Sequence, residues 1–241
     1  MTVSTERRGN VLLVTIDRPE KRNAIDAATT AALDAALNEL DDDPALRVGV
    51  SAGTDLVDGP GEPTPRGGNY GVVRRARRTP LIAAVDGLAY GGGFEIVLAC
   101  DLVVAARDAR FALPETARGL VANCGALFRA PRALPRNIAL EMLLTGEPLA
   151  AERAWSLGLV NRLVESGKAV EGALELAAVI AEHSPVALAE TLAVVAEVEA
   201  VLDEPGWAAT ERATEIVKAS EDAKEGVAAF REKRPPRWPG R

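Results

Sequence analysis

The stretch Leu81-Ile82-Ala83-Ala84-Val85-Asp86-Gly87-Leu88-Ala89-Tyr90-Gly91-Gly92-Gly93-Phe94-Glu95 decides how this chain reads. Leu81–Val85 is a short apolar run and reads as a buried strand. Ala89–Gly93 is a glycine turn, and Phe94–Cys100 reads as a helix starting in it. Glycine lets a backbone turn sharply and lets a ligand come close to its N–H groups. A helix start offers unpaired donors and a positive dipole end. A strand, a glycine turn and a helix start can therefore hold an anion, or an oxygen that becomes one in a transition state. A plain tight turn is the competing reading, and a dinucleotide loop is weaker because GxGxxG is absent. Glu95 falls in the first turn of this helix. Glu115 follows Leu113-Pro114, a strand end and turn. Alone, each carboxylate reads as a complement to a helix dipole. Their joint placement beside a glycine turn favours a functional role, which spacing alone does not assign.

Upstream, Val11–Ile16 reads as a strand closed by Asp17-Arg18-Pro19, and Asp26 as the N-cap of a helix reaching Leu40. Arg47–Val50 begins like a strand and stops at Ser51-Ala52-Gly53. Asp58–Gly71 reads as a mobile Gly/Pro loop, Val72–Arg78 as a short basic helix, and Leu102–Ala106 as another strand. From Asn137 the pattern turns helical, with runs at Ala139–Leu144, Ala150–Leu157, Ala169–Glu182, Val186–Val201, Trp207–Lys218 and Glu221–Lys233. Alternating strands and helices followed by helices alone indicate an α/β core, residues 1–185, with a helical extension, residues 186–241.

The 241 residues are 48% hydrophobic but only 4% aromatic, so the core must be Ala, Leu and Val. A net charge of -7 argues against nucleic acid. No signal-peptide core or membrane-length apolar run occurs, and two cysteines make no disulfide framework, which reads as a soluble cytoplasmic protein. His183, the single histidine, lies at a helix break, so a Ser/His/Asp triad or histidine metal site is not expected. Cys124 reads as a packed or pocket-lining thiol. The run Arg74-Arg75-Ala76-Arg77-Arg78 reads as a solvated helix face.

Val14 through Ala24, carrying Asp17-Arg18-Pro19-Glu20-Lys21-Arg22-Asn23, resembles the N-terminal signature of the crotonase family. Ser51-Ala52-Gly53-Thr54-Asp55-Leu56 and Gly91-Gly92-Gly93-Phe94-Glu95 resemble its two oxyanion-hole motifs. Phe111-Ala112-Leu113-Pro114-Glu115 resembles the segment with its second catalytic glutamate. Leu144-Thr145-Gly146, Gly158-Leu159-Val160-Asn161, Glu221-Asp222, Glu225-Gly226 and Phe230-Arg231-Glu232-Lys233-Arg234 match later landmarks. The resemblance implies a spiral of ββα turns with a C-terminal helical trimerisation region, and a homotrimer or dimer of trimers. It implies an enoyl-CoA hydratase, a lyase adding water syn to a 2-enoyl-CoA in fatty acid or related acyl-CoA metabolism such as β-oxidation. Coenzyme A would enter as part of the substrate, with no separate cofactor and no metal. Glu95 and Glu115 would be the acid/base pair, and the N–H groups of Thr54 and Gly92 the oxyanion hole. Arg22, Ala24, Ala52, Asp55 and Leu56 would line the coenzyme side, and Leu88, Gly91, Pro114 and Asn123 the acyl side. Phe230 and Lys233 would reach the adenosine end. The alternatives are isomerisation or thioester hydrolysis on the same fold, or a non-catalytic acyl-CoA-binding scaffold.

The chain departs from that family at two points. A Thr-Gly loop and an aromatic residue usually precede Ser-Ala-Gly, whereas Val50 here meets Ser51 directly. Either the loop is deleted, or a mobile loop separates the two residues and the numbering closes over it. The second reading is preferred, and a Cα–Cα distance well above about 3.8 Å would show it. Val57 also stands where the family often has a lysine.

Overall fold

The computed structural model describes residues 2–18, 23, 25–52 and 61–241. Strand β1 (Val3–Arg8) pairs antiparallel with β2 (Val11–Ile16) across a turn at Gly9, and α1 (Ala27–Asp42) follows. Next come β3 (Val48–Ala52), β4 (Leu81–Val85), β5 (Leu88–Tyr90), α2 (Gly92–Ala99), β6 (Leu102–Ala106) and β7 (Arg110–Ala112). Helices α3 (Ala126–Ala133) and α4 (Arg136–Thr145) precede β8 (Leu149–Ala150), α5 (Ala151–Ser156) and β9 (Arg162–Val164). Helices α6 (Ala169–Ala181), α7 (Pro185–Ala219) and α8 (Glu221–Glu232) complete the chain.

The strands divide between two sheets. A six-stranded sheet has the order β1-β2-β3-β4-β6-β9, and a three-stranded sheet the order β5-β7-β8. In the middle of the chain two successive turns give their first strand to the large sheet and their second to the small one, β4 then β5 and β6 then β7. This is the ββα spiral expected from the sequence. The period-2 rule sets the two faces of the large sheet. Leu12, Val14 and Leu81 face α1, packing against Leu33, Leu37 and Leu40. Val11, Leu13, Val50, Ile82 and Val104 face α6, packing against Ala169, Ala173 and Ala177. Small residues let the layers close: a Cβ on Gly49 would lie 2.4 Å from Leu40 Cδ2, and one on Gly172 would lie 2.9 Å from Val164 Cγ1.

Several expectations are corrected here. Val50 and Ser51 are not separated by a loop. They are consecutive residues inside β3, facing Leu13 and Val14 on one side and Ile82 and Ala83 on the other. Pairing on both sides leaves no room for an insertion, so the shorter junction belongs to the protein. Val72–Arg78 is not a helix. A single 3-10 turn, Asn69–Gly71, precedes it, and Arg75 is buried in ion pairs with Asp34 at 2.5 Å and Asp41 at 2.8 Å, both on α1. The basic run is thus partly an internal clamp. Pro205 does not divide two helices but lies inside α7. It is held there by tertiary contacts: Gly206 abuts Phe128, and Trp207 is buried with its ring edge-on to Phe128 at 5.1 Å. Strand β5 occupies the start of the expected Ala89–Gly93 turn, and strands β1, β8 and β9 and helix α3 are not among the expected elements.

Candidate active site

Helix α2 starts at the glycine turn as read from the sequence. Gly91 has φ 55, which favours glycine, and its N–H donates to the Ala112 carbonyl at 2.8 Å. That bond ties the turn to β7, which leads directly to Pro114 and Glu115. Among the described residues no side chain caps the start of α2, and Gly92, its first residue, lines a cavity.

Glu95 is 2% exposed. Its Oε1 accepts from the N–H groups of Cys124 at 2.7 Å and Ala126 at 3.1 Å. Gly125, at φ 109, shapes the backbone so that both amides converge on one oxygen. Sequence reading placed Cys124 as a packed thiol and missed that its backbone orients Glu95. Glu115 begins the 3-10 turn Thr116–Arg118. Thr116 Oγ1 donates to the Leu143 carbonyl at 3.0 Å, and a Cβ on Gly146 would lie 3.1 Å from Pro114 Cα. The Leu144-Thr145-Gly146 landmark therefore supports the Pro114-Glu115 segment from behind.

The two glutamates line one cavity beside the glycine turn. A Cβ on Gly91 would stand 3.0 Å from Glu115 Oε1, and Glu115 Oε2 is buried with no hydrogen-bond partner among the described residues. Burial pushes the Glu95 carboxyl up to about 8; the two amide bonds oppose this, and the neighbouring Glu115 charge adds to it. Burial also raises Glu115, against the pull of its own amide and Arg118. A buried acidic pair of this kind titrates as a unit and keeps a proton near neutral pH.

Tyr90, Gly91, Gly92, Glu95, Pro114, Glu115 and Asn123 line a cavity of about 270 Å³. Its remaining described walls are Tyr70, Arg118, Leu120 and Val121, with Thr214, Val217 and Lys218 from α7. Leu88 is 40% exposed on β5 and is not among the lining residues, while Ala52 is buried at the end of β3. Phe230, on α8, stacks at 5.0 Å on the Arg118 guanidinium, and Lys233 caps that helix in the left-handed region at φ 53. Thr54, Asp55, Leu56, Arg22 and Ala24 lie outside the described residues. Sequence reasoning missed Tyr70, Arg118 and the α7 wall. Among these, Tyr70 carried the only local signal, Gly67-Gly68-Asn69-Tyr70-Gly71, since such a run folds a loop tightly.

The chain matches the enoyl-CoA hydratase/isomerase family over residues 6–61 and 73–241. It is 39% identical to a carnitinyl-CoA dehydratase of Salmonella typhi over 254 aligned positions, covering 98% of this chain and 97% of that protein. Those positions outnumber the 241 residues here, so the relative carries residues this chain lacks. The fold superposes on a carnitinyl-CoA dehydratase from Mycobacterium avium 104 with a TM-score of 0.93 and 43% identity, over 100% of this chain and 99% of the other. An enoyl-CoA hydratase from Mycobacterium tuberculosis H37Rv gives a TM-score of 0.78 and 40% identity, over 100% and 99%. With a paired carboxyl site at its glycine turn and relatives matching along almost its whole length, the chain belongs to the enoyl-CoA hydratase/isomerase, or crotonase, family.

Proposed function

We propose that the protein is a hydro-lyase that adds water reversibly to a 2-enoyl-CoA, giving a 3-hydroxyacyl-CoA. The observation that carries this reading is two carboxyls, Glu95 and Glu115, facing one cavity beside an uncapped helix start. Hydration delivers hydroxyl to one carbon and a proton to its neighbour while charge builds on the thioester oxygen. The Gly92 N–H is one donor for that oxygen, and the Thr54 N–H is proposed as the second. One such donor contributes roughly 3–4 kcal/mol to the transition state. A carboxyl pair holding one proton completes the chemistry: the carboxylate takes a proton from water, and the carboxylic acid gives its own to carbon. The pair ends with one proton, as it began. Relatives named for hydration and dehydration of acyl-CoA support this over isomerisation or thioester hydrolysis.

On this reading coenzyme A is the handle of the substrate and no further cofactor is needed. Gly91, Pro114 and Asn123 adjoin the acyl group, and Ala52, Arg22, Ala24, Asp55 and Leu56 serve the coenzyme. Phe230 and Lys233 lie toward its adenosine end. Acyl-CoA breakdown such as β-oxidation in the cytoplasm is the proposed setting; among the described residues no helix is long and apolar enough to cross a membrane. Trimerisation is proposed from α7, where Val194, Val198, Val201 and Leu202 stand exposed. Light scattering at micromolar concentration should give a trimer or hexamer, and a monomer would count against it. The reaction is tested by following loss of the conjugated-thioester absorbance with a short and a long 2-enoyl-CoA. Unchanged absorbance with both would reject the hydratase reading.

A further inference from the structure

The internal segment that the family match leaves out, residues 62–72, is a folded loop. Thr64 and Gly68 form a two-way backbone bridge, and Thr64 Oγ1 donates to Asp34 on α1 at 2.7 Å. A Cβ on Gly67 would lie 2.0 Å from the Gly71 carbonyl oxygen, and one on Gly71 would lie 2.8 Å from the Asp34 nitrogen. Between these glycines Tyr70 sits at φ 60 and is buried. An ordinary side chain is strained there, and such strain persists where its surroundings fix it, often at a functional site.

The strained turn meets Cys124, the residue whose backbone orients Glu95. Asn69 Nδ2 donates to Cys124 Sγ at 3.1 Å, and the Tyr70 hydroxyl donates to the same sulfur. Two donors therefore converge on the thiol, whose own proton is left for an acceptor. Two acceptors lie within its reach, Asn123 Oδ1 at 3.3 Å and the Glu95 carboxyl. The Cys124 N–H already donates to Glu95 Oε1 at 2.7 Å, so one residue addresses this carboxyl from both its backbone and its side chain.

The donors keep their protons throughout the range in which Glu95 titrates. Burial pushes the Cys124 thiol up to about 12 and raises the Tyr70 hydroxyl above its ordinary value. Of the three groups the carboxyl alone titrates near neutral pH. The other charge facing it is Glu115, on the turn after β7, and Tyr90, Arg118 and Lys218 line the same cavity.

We infer that Tyr70, Asn69 and Cys124 are positioning residues for Glu95: a directed chain of donors whose last proton, on the Cys124 sulfur, holds the Glu95 carboxylate and turns to Asn123 when that carboxyl is protonated. The loop outside the family match thereby acts on the catalytic pair through one thiol. The consequence for turnover rests on the hydratase reading; the donor chain itself rests on the geometry.

Removing a donor from a carboxylate makes the carboxyl hold its proton more tightly. In Cys124→Ala the alkaline limb of the kcat profile with crotonyl-CoA should therefore move up by about half to one pH unit, the value of one neutral hydrogen bond. Tyr70→Phe keeps the ring and should move the limb the same way by less. Cys124→Ser keeps a donor and should leave it near its wild-type position. A limb unmoved in both Cys124→Ala and Tyr70→Phe overturns the inference. So does a limb in Cys124→Ser displaced as far as in Cys124→Ala, because the sulfur would then supply bulk and not its proton.

The infrared S–H stretch of Cys124, taken as wild type minus Cys124→Ser, reads the same contact without turnover. A hydrogen bond to an ionised acceptor is the stronger one, so the band should move to lower frequency between about pH 6 and about pH 10 as Glu95 ionises. In a Glu95→Gln background it should stay fixed. A wild-type band that does not move overturns the donor chain even where crotonyl-CoA is hydrated. A moving band without hydration of crotonyl-CoA supports the donor chain and rejects the hydratase reading instead.

Discussion

On one side of the catalytic cavity, Glu95 and Glu115 are fixed by neighbours close in sequence or by backbone amides. The Gly91 N–H bonds β7, and the Cys124 and Ala126 amides bond Glu95. On the other side, partners far along the chain set the wall: the loop carrying Tyr70 is held to Asp34 on α1, and α7 docks through Trp207 on Phe128 of α3. The first side is built from segments that lie within the family match. The second uses Tyr70 from the stretch the family match omits. Each side can be altered while the other is read.

The largest expected effect lies on the carboxyl side. Glu95→Gln and Glu115→Gln should each lower hydration by about 100- to 10,000-fold, the range for general acid/base groups. The fold should persist, checked by circular dichroism, because the side-chain carbonyl of a glutamine in place of Glu95 still accepts from both amides. Near-wild-type turnover in either variant would remove that residue from the chemistry. The opposite wall is probed through Arg75, whose side chain is 1% exposed between Asp34 and Asp41. Removing one partner of a buried ion pair typically costs about 3–5 kcal/mol. Arg75→Met should therefore lower the urea midpoint sharply. A stability close to wild type would mean the loop is not held by this clamp.

Gly91→Ala gives a smaller effect where the two sides meet. The new methyl would approach Glu115 Oε1 at 3.0 Å and hold a non-glycine residue at φ 55. Backbone strain of this kind costs about 1–3 kcal/mol, and a displaced carboxyl loses up to about 100-fold in rate. A pure stability loss with unchanged kcat would show that the turn shapes the fold without setting the carboxyl geometry.

This contrast also explains what the sequence made legible. The glycine turn, both glutamates and the α/β order were readable because a strand, a turn and a helix start are local patterns. The Val50–Ser51 junction misled because β3 is short, and its burial by β2 and β4 is a long-range fact. Pro205 misled because local propensity ends helices at proline, while the Trp207 and Gly206 contacts hold this one. Arg75 read as a surface charge because its acidic partners lie some 34 and 41 positions away in α1. Tyr70 was missed because its position depends on three glycines closing a loop against α1.

The smallest effect tests the proton on Glu95. Its carboxyl is pushed up to about 8 in the folded protein from an ordinary value of 4.5. A raised acid binds its proton more tightly when folded, so protonation favours the folded state. The stability this brings is complete below about pH 4.5 and is lost as pH rises through about 8, because the buried group must then ionise. Glu95→Gln has no proton to lose. The difference in Tm, variant minus wild type, should therefore grow from about pH 5 to about pH 9, with the variant relatively more stable at the alkaline end. Because the two carboxyls titrate as a unit, the difference reports what the pair loses when the Glu95 proton is taken out of it. Wild-type turnover should decline above about pH 8 over the same range, since an ionised pair has no proton to give to carbon. Parallel Tm profiles would mean that Glu95 is already ionised at neutral pH, and the proton donor in hydration would have to be sought at Glu115.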